Sequence, residues 1–238
     1  MQDLSGWTVW ITGAGSGIGR AMAQRFATAG CTVALTGRTP STLDEVAATL
    51  EGRGRVYPGD VLDRPLMAQL AERIAQETGR LDVVCNNAGT NVPRRTWDDV
   101  DWDAWDRVID INVKGAMGVI AAAVPVMRAG GGGVIVTTSS WAGRFHSPKA
   151  GVPYGASKHA VTELSRSVNS SEGAYGIRAC ALHPAEVATE LLKGRPGWTP
   201  QMWDEIIQPD DMAEAALFAA QMNPNVAVHE ITLSPVRR

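Results

Sequence analysis

Cysteine, phenylalanine, tyrosine and histidine are all scarce in this chain, and its charges nearly cancel. Each shortage removes a class of explanation. Three cysteines, Cys31, Cys85 and Cys180, are an odd number and do not make a disulfide framework. Each sits in or beside a short apolar run, which reads as buried reduced thiol and points to a cytoplasmic protein. No Cys/His spacing resembles a zinc site, so no metal is expected. A net charge of −3 gives no field that would draw nucleic acid or an anionic membrane. No apolar run is read as long enough to span a bilayer. The opening Met1-Gln2-Asp3-Leu4-Ser5 carries no secretory signal. There is no repeat, low-complexity tract or interior linker. A chain of 238 residues can bury one substantial core without a staple, so a single domain over 1–238 is expected.

What the chain has is glycine at defined places. Gly6 to Ile11 reads as a buried strand, short, apolar and rich in β-formers. Thr12-Gly13-Ala14-Gly15-Ser16-Gly17-Ile18-Gly19 follows at once. From Arg20 to Ala29 the pattern is helical, with Ala21, Met22, Phe26 and Ala27 on the sheet-facing side. Strand, glycine turn and helix together make a dinucleotide site credible. The glycines let the backbone approach a pyrophosphate, whose charge sits at the helix N-terminus. The spacing Gly13, Gly17, Gly19 departs from a strict Gly-x-Gly-x-x-Gly, which Gly15 matches in part.

Tyr154 precedes Lys158 by four residues, about one helical turn, so the two share a face. An ammonium beside a phenol favours phenolate, and such a phenol can give a proton to a carbonyl oxygen or take one from an alcohol. Alone, this spacing is also what chance puts on an amphipathic helix. Its company decides. Asn86-Asn87-Ala88-Gly89 ends the apolar run 81–85, Ser139-Ser140-Trp141-Ala142-Gly143 ends 133–138, and Pro184 to Thr189 ends 177–183. Ligand sites in open α/β sheets gather at the carboxyl ends of strands, where each of these motifs falls.

The alternation of patterns predicts strands near 6–11, 32–36, 54–57, 81–85, 133–138, 177–182 and 228–232. Helices are predicted near 17–29, 40–51, 64–78, 101–128, 153–174 and 209–222. That alternation implies an α/β fold, a doubly wound (Rossmann) seven-stranded parallel sheet with helices on both faces. The second strand ends in Thr36-Gly37-Arg38-Thr39, with no carboxylate to repel a 2′-phosphate. Arg38 pairing with that phosphate and Thr39 donating to it favour NADP(H) over NAD(H). The alternative for Arg38 is a cation stacked on adenine, compatible with either cofactor.

The motifs in this order resemble the short-chain dehydrogenase/reductase family over nearly the whole chain. The resemblance implies sheet order 3-2-1-4-5-6-7 and a substrate lid at about 190–208. It implies Ser140 (rather than Ser139) as the hydrogen-bond donor to the substrate oxygen, Tyr154 as the proton carrier and Lys158 as its cation. Asn112 becomes either the anchor of a water below Lys158 or an amide bonded to a neighbouring carbonyl. For the cofactor it implies Gly13, Ser16, Gly17, Ile18 and Gly19 at the pyrophosphate, then Asn87, Ala88 and Gly89 along the centre. Tyr154 and Lys158 fall beside the ribose, and Pro184, Val187 and Thr189 beside the carboxamide. Asp60 and Val61 meet adenine, or Asp60 caps the next helix. Ala185 stands where the family usually has glycine, and Ser16 where many NADP-preferring relatives have a basic residue.

The substrate is read as a small carbonyl or secondary alcohol. Basic residues gather around the expected pocket: Arg94, Arg95, Arg144, His146, Lys149, Lys193 and Arg195. They are either an acid clamp, as for a 3-oxo or 3-hydroxy acid, or solvated surface charge. Trp141, Leu191, Trp198 and Trp203 supply apolar surface suited to a cyclic or aromatic ketone. By resemblance, the helices at 101–128 and 153–174 pair copies into a homo-oligomer, dimer or tetramer. A non-catalytic NAD(P)-binding sensor or scaffold is the alternative, although such proteins usually lose Tyr, Lys or Ser, all present here.

Overall fold

A computed structural model describes residues 1–193, 199 and 203–236. Seven strands form one parallel sheet: β1 Thr8–Thr12, β2 Thr32–Thr36, β3 Gly54–Val56, β4 Val83–Asn86, β5 Gly133–Thr138, β6 Ile177–Pro184 and β7 Glu230–Leu233. Their order is β3-β2-β1-β4-β5-β6-β7, as the family resemblance implies. The order reverses between β1 and β4, which opens a crevice at their carboxyl ends.

The inner strands β1, β2, β4, β5 and β6 are buried on both faces and read as largely apolar runs, whereas the edge strands β3 and β7 are only partly covered. Within β1, Val9 and Ile11 face one core and Trp10 the other. The helices α1 Gly17–Thr28 and α2 Pro40–Ala48 lie on the Val9 side. Met22 and Phe26 of α1 are fully buried there, as is Met212 of a later helix. The Trp10 side takes α3 Arg64–Thr78, whose Met67 and Ile74 pack beneath it. The candidate face Ala21, Met22, Phe26 and Ala27 is buried throughout. Burying a side chain such as Phe26 contributes about 1.5–3 kcal/mol.

The helix expected over 101–128 is one continuous run, Trp102–Ala129, made of α4 Trp102–Ile109, a π-helical turn Asp110–Gly115 and α5 Ala116–Ala129. This corrects one expectation, because by length and composition it is long and apolar enough to cross a membrane. Its apolar stripe, Val119, Ile120, Ala123 and Met127, packs on the sheet, which is what a core helix of a doubly wound fold requires. The remaining helices are α6 Val152–Glu172, α7 Glu190–Lys193 and α8 Pro209–Gln221.

Boundaries shift by at most three residues from the sequence expectation, and those of β2, β5 and α3 coincide with it. The first strand starts at Thr8 because Gly6, at φ +79°, turns the chain first. The sixth runs on to Pro184, where Pro184 still pairs with Leu233. In the segment expected as a lid, Val187 bridges to Ile207 and Ala188 N–H donates to the Ile207 carbonyl at 2.8 Å. Trp198 and Arg195 lie outside the described residues.

Candidate active site

The glycine turn between β1 and α1 has the shape its sequence requires. Gly13 and Gly17 sit at φ +64° and +49°, backbone that L side chains rarely adopt. A Cβ on Gly19 would lie 2.2 Å from the Gly13 carbonyl oxygen, and one on Gly13 would lie 3.0 Å from Ala88 Cα. Nothing larger than hydrogen fits between turn and helix. The Ser16 side chain makes no cap bond, so the first-turn amides of α1 face the crevice without a side-chain partner. Such a cradle suits a pyrophosphate, and the residues present fit a dinucleotide.

Asn87 braces the crevice floor. Its Nδ2 donates to the Thr12 carbonyl at 3.1 Å, and its Oδ1 accepts from Thr138 Oγ1 at 3.0 Å. The ends of β1, β4 and β5 are thereby tied together. Arg38, Thr39 and Asp60 line the same cavity, beside β2 and β3. Of the two readings of Asp60, the helix cap is filled by Asp63, which accepts from Leu66 N–H at 3.0 Å. The Asp60 carboxylate accepts from Leu62 N–H at 3.0 Å and remains on the cavity wall.

The two serines differ in surroundings. Ser139 is buried and spends its hydroxyl on the Lys158 carbonyl and Thr162 Oγ1, at 3.0 and 2.9 Å. Ser140 faces the cavity, and its Oγ accepts from Ala142 N–H at 3.1 Å. A hydroxyl that accepts there still has its proton to donate elsewhere. Tyr154 and Lys158 lie on α6 at the same wall. Lys158 Nζ is 5.4 Å from the Tyr154 ring centre and donates to the Thr138 carbonyl at 2.7 Å. Burial pushes the Lys158 ammonium down to about 8, because a cation loses water that the site does not replace.

Asn112 occupies the π turn. Its Nδ2 donates to the Thr90 carbonyl at 2.9 Å and to Ser157 Oγ at 3.0 Å, while Oδ1 accepts from Thr90 N–H at 2.7 Å. The amide is thus bonded to a neighbouring carbonyl, and it pins the 90 loop to α6. An added Cβ on Gly89 would lie 3.3 Å from Asn112 Oδ1 and 3.5 Å from Lys158 Nζ, so the two groups flank one small space. The extra residue of a π turn is what re-aims a side chain this way.

A cavity of about 1100 Å³ gathers nearly all the predicted residues. Gly13, Ser16, Gly17 and Ile18 line its phosphate end, and Val61 stands beside Asp60. Asn87, Ala88 and Gly89 line it too, as do Pro184, Val187 and Thr189, the last so close to the turn that a Cβ on Gly17 would lie 3.1 Å from its Cγ2. Trp141, His146 and Leu191 line it as well. Gly19 and Asn112 lie behind the wall and shape it. Arg94 is the correction. It is exposed and paired with Asp99 at 2.7 Å and Asp101 at 3.4 Å, and it does not line the cavity. Its neighbour Arg95 does, with 8 % exposure, because Val152 N–H donates to the Arg95 carbonyl and docks that residue against α6. Two adjacent arginines in a loop give no sequence signal for which one turns inward. Thr42, also on the wall, was missed; a Cβ on Gly15 would lie 2.5 Å from its Oγ1. Among the described residues, no group of three or more His, Cys, Asp or Glu side chains is placed to hold a metal ion.

The short chain dehydrogenase model matches residues 7–199. The chain belongs to the short-chain dehydrogenase family. An uncharacterised oxidoreductase of Staphylococcus saprophyticus is 32 % identical over 240 residues, covering 99 % of this chain and 100 % of the relative. Sulfoacetaldehyde reductase 2 of Chromohalobacter salexigens is 33 % identical over 247 residues, covering 100 % and 96 %. Among solved structures, a 3-ketoacyl-(acyl-carrier-protein) reductase from Brucella melitensis complexed with NADH superposes with a TM-score of 0.89 at 26 % identity, covering 98 % and 99 %. This short-chain dehydrogenase is therefore an oxidoreductase on a fold that binds NAD(P)(H).

Proposed function

We propose that the protein is an NADP(H)-dependent carbonyl reductase or alcohol dehydrogenase in which Ser140, Tyr154 and Lys158 work on one substrate oxygen. The observation that supports it is that all three line one cavity, with the Lys158 ammonium 5.4 Å from the centre of the Tyr154 ring. Gly13, Ser16, Gly17 and Ile18 would hold the pyrophosphate, and Asp60 and Val61 the adenine. When bound, the dinucleotide supplies a hydride to a carbonyl carbon or accepts one from a carbinol. Ser140 donates its hydroxyl proton to the substrate oxygen and holds it in place. Tyr154 gives that oxygen its proton on reduction and removes it on oxidation, a step worth about 10²–10⁴ in rate. Lys158 stabilises negative charge on the phenol oxygen at short range in a dry site. Asn112 supports the arrangement through Thr90 and Ser157, and by family analogy anchors a water beneath Lys158. The complete set speaks against a non-catalytic sensor or scaffold.

Arg38 and Thr39, with no carboxylate beside them, support NADP(H) over NAD(H). For substrate, the buried Arg95 with His146 and Lys149 on the wall supports a small oxo or hydroxy acid. Trp141, stacked on Phe145 at 4.5 Å between ring centres, supports a second reading, a cyclic or aromatic ketone. The reading extends to a homo-oligomer, dimer or tetramer, built on the faces of 102–129 and α6, to a lid over 190–208 and to a cytoplasmic setting that suits three buried thiols. A panel of 3-oxo acids, their neutral esters and cyclic ketones, followed by nicotinamide absorbance, tests it. NADPH-dependent reduction is expected, with Arg95→Met raising KM for an acid roughly tenfold or more and leaving its ester unchanged. Absence of turnover with every carbonyl and alcohol would remove the proposal.

A further inference from the structure

His183, at the end of β6, is fully buried outside the set of groups the reaction uses. Its Nδ1 lies 3.0 Å from the Ser140 carbonyl oxygen. A carbonyl only accepts, so Nδ1 carries the proton and donates. The same carbonyl accepts from Gly143 N–H at 2.8 Å, so both bonds fix the backbone from which the Ser140 hydroxyl projects. The other ring nitrogen, Nε2, is buried without a hydrogen-bond partner and lies 3.4 Å from Glu230 Oε2. A buried polar atom left unpaired is costly and calls for an explanation.

With the proton on Nδ1, Nε2 presents a lone pair to a carboxylate that itself only accepts, so the Nδ1 bond alone keeps the ring in place, and Glu230 acts on other partners. Its carboxylate accepts from Arg166 Nη2 at 2.8 Å and pairs with Arg144. Arg144 follows the Ser140 turn, and Arg166 lies on α6, the helix that carries Tyr154. One carboxylate on β7 therefore ties the serine turn to the tyrosine helix, close behind the imidazole that holds the serine backbone. Hydrogen bonding of the Ser140 hydroxyl to a substrate oxygen is sensitive to sub-ångström placement, and that placement is what rigid support behind a site supplies.

We propose that His183 and Glu230 are positioning residues for the reaction, with His183 holding the Ser140 backbone and Glu230 locking the serine turn to α6 through Arg144 and Arg166. This rests on the catalytic reading of Ser140. The test is single-turnover hydride transfer, with dinucleotide Kd measured alongside. His183→Leu, which removes the donor, lowers the rate roughly tenfold to a hundredfold with Kd within about twofold. His183→Asn keeps an N–H near the Nδ1 position and restores most of the rate. In a Ser140→Ala background His183→Leu costs less than about twofold more, because the group it positions is gone. Glu230→Gln follows the same pattern with a smaller loss and carries the test if His183→Leu does not fold. Full activity in His183→Leu overturns the proposal, as does an undiminished further loss in the Ser140→Ala background. A wild type without turnover overturns the catalytic reading, whereas an active wild type with an indifferent His183 overturns this inference alone.

Discussion

Lys158 should impose its own pH dependence on stability, and the structure sets the size. The ammonium is buried against the Thr138 carbonyl, and burial brings it from 10.5 to about 8. A base whose folded value is depressed is charged at a cost below that value, and the cost is relieved as pH rises. Between about pH 8 and pH 10.5 the unfolded chain holds a proton on Lys158 that the folded chain has released. Stability from this group therefore rises with pH across that window. At about 1.4 kcal/mol per tenfold change, the full effect is about 3 kcal/mol. Lys158→Met has no proton to lose. Paired urea unfolding of wild type and Lys158→Met, each in a Tyr154→Phe background that removes the neighbouring phenol, isolates the term, because the remaining titrating groups cancel in the difference. The difference should stay level below about pH 7.5, then move in favour of wild type by about 2–3 kcal/mol on approaching pH 10.5. Constant offset of the mutant, such as the lost bond to Thr138, does not affect that slope. A flat difference across the window would falsify the statement that the folded lysine titrates early.

Two further outcomes follow from the cofactor end. Wild type should favour NADPH over NADH in kcat/KM by about tenfold or more, and Arg38→Asp should reverse the order by placing a carboxylate beside the 2′-phosphate. A wild type that favours NADH would remove Arg38 from that role. Gly19→Ala drives a methyl group to 2.2 Å from the Gly13 carbonyl oxygen. It should cost about 1–3 kcal/mol in unfolding free energy and weaken dinucleotide binding roughly tenfold or more, as titration calorimetry would read; unchanged affinity would mean the turn can yield without consequence.

Much of the fold and site was legible because local chemistry and global position agree. Tyr154 and Lys158 share a face through helical spacing alone, and the inner strands are largely apolar runs because both their faces are covered. The motifs at the ends of β1, β4, β5 and β6 converge because parallel strands place all their carboxyl ends on one edge. Other features depend on contacts between distant residues. His183 and Glu230 carry no mutual signal in the chain, and only the pairing of β6 with β7 brings them together. The π turn at Asn112 adds one residue to a helix whose periodicity looks unbroken. Arg94 and Arg95 are the same residue type side by side, and only the fold sets them apart, with the Arg95 side chain packed over Gly151 and Arg94 exposed.

The catalytic account depends most directly on the Tyr154 phenol. Tyr154→Phe removes one oxygen and leaves the ring beside Lys158, so dinucleotide Kd should stay within about threefold while single-turnover hydride transfer falls by about 10²–10⁴. A Tyr154→Phe protein that binds the dinucleotide and still turns over a carbonyl substrate at near the wild-type rate would contradict the account.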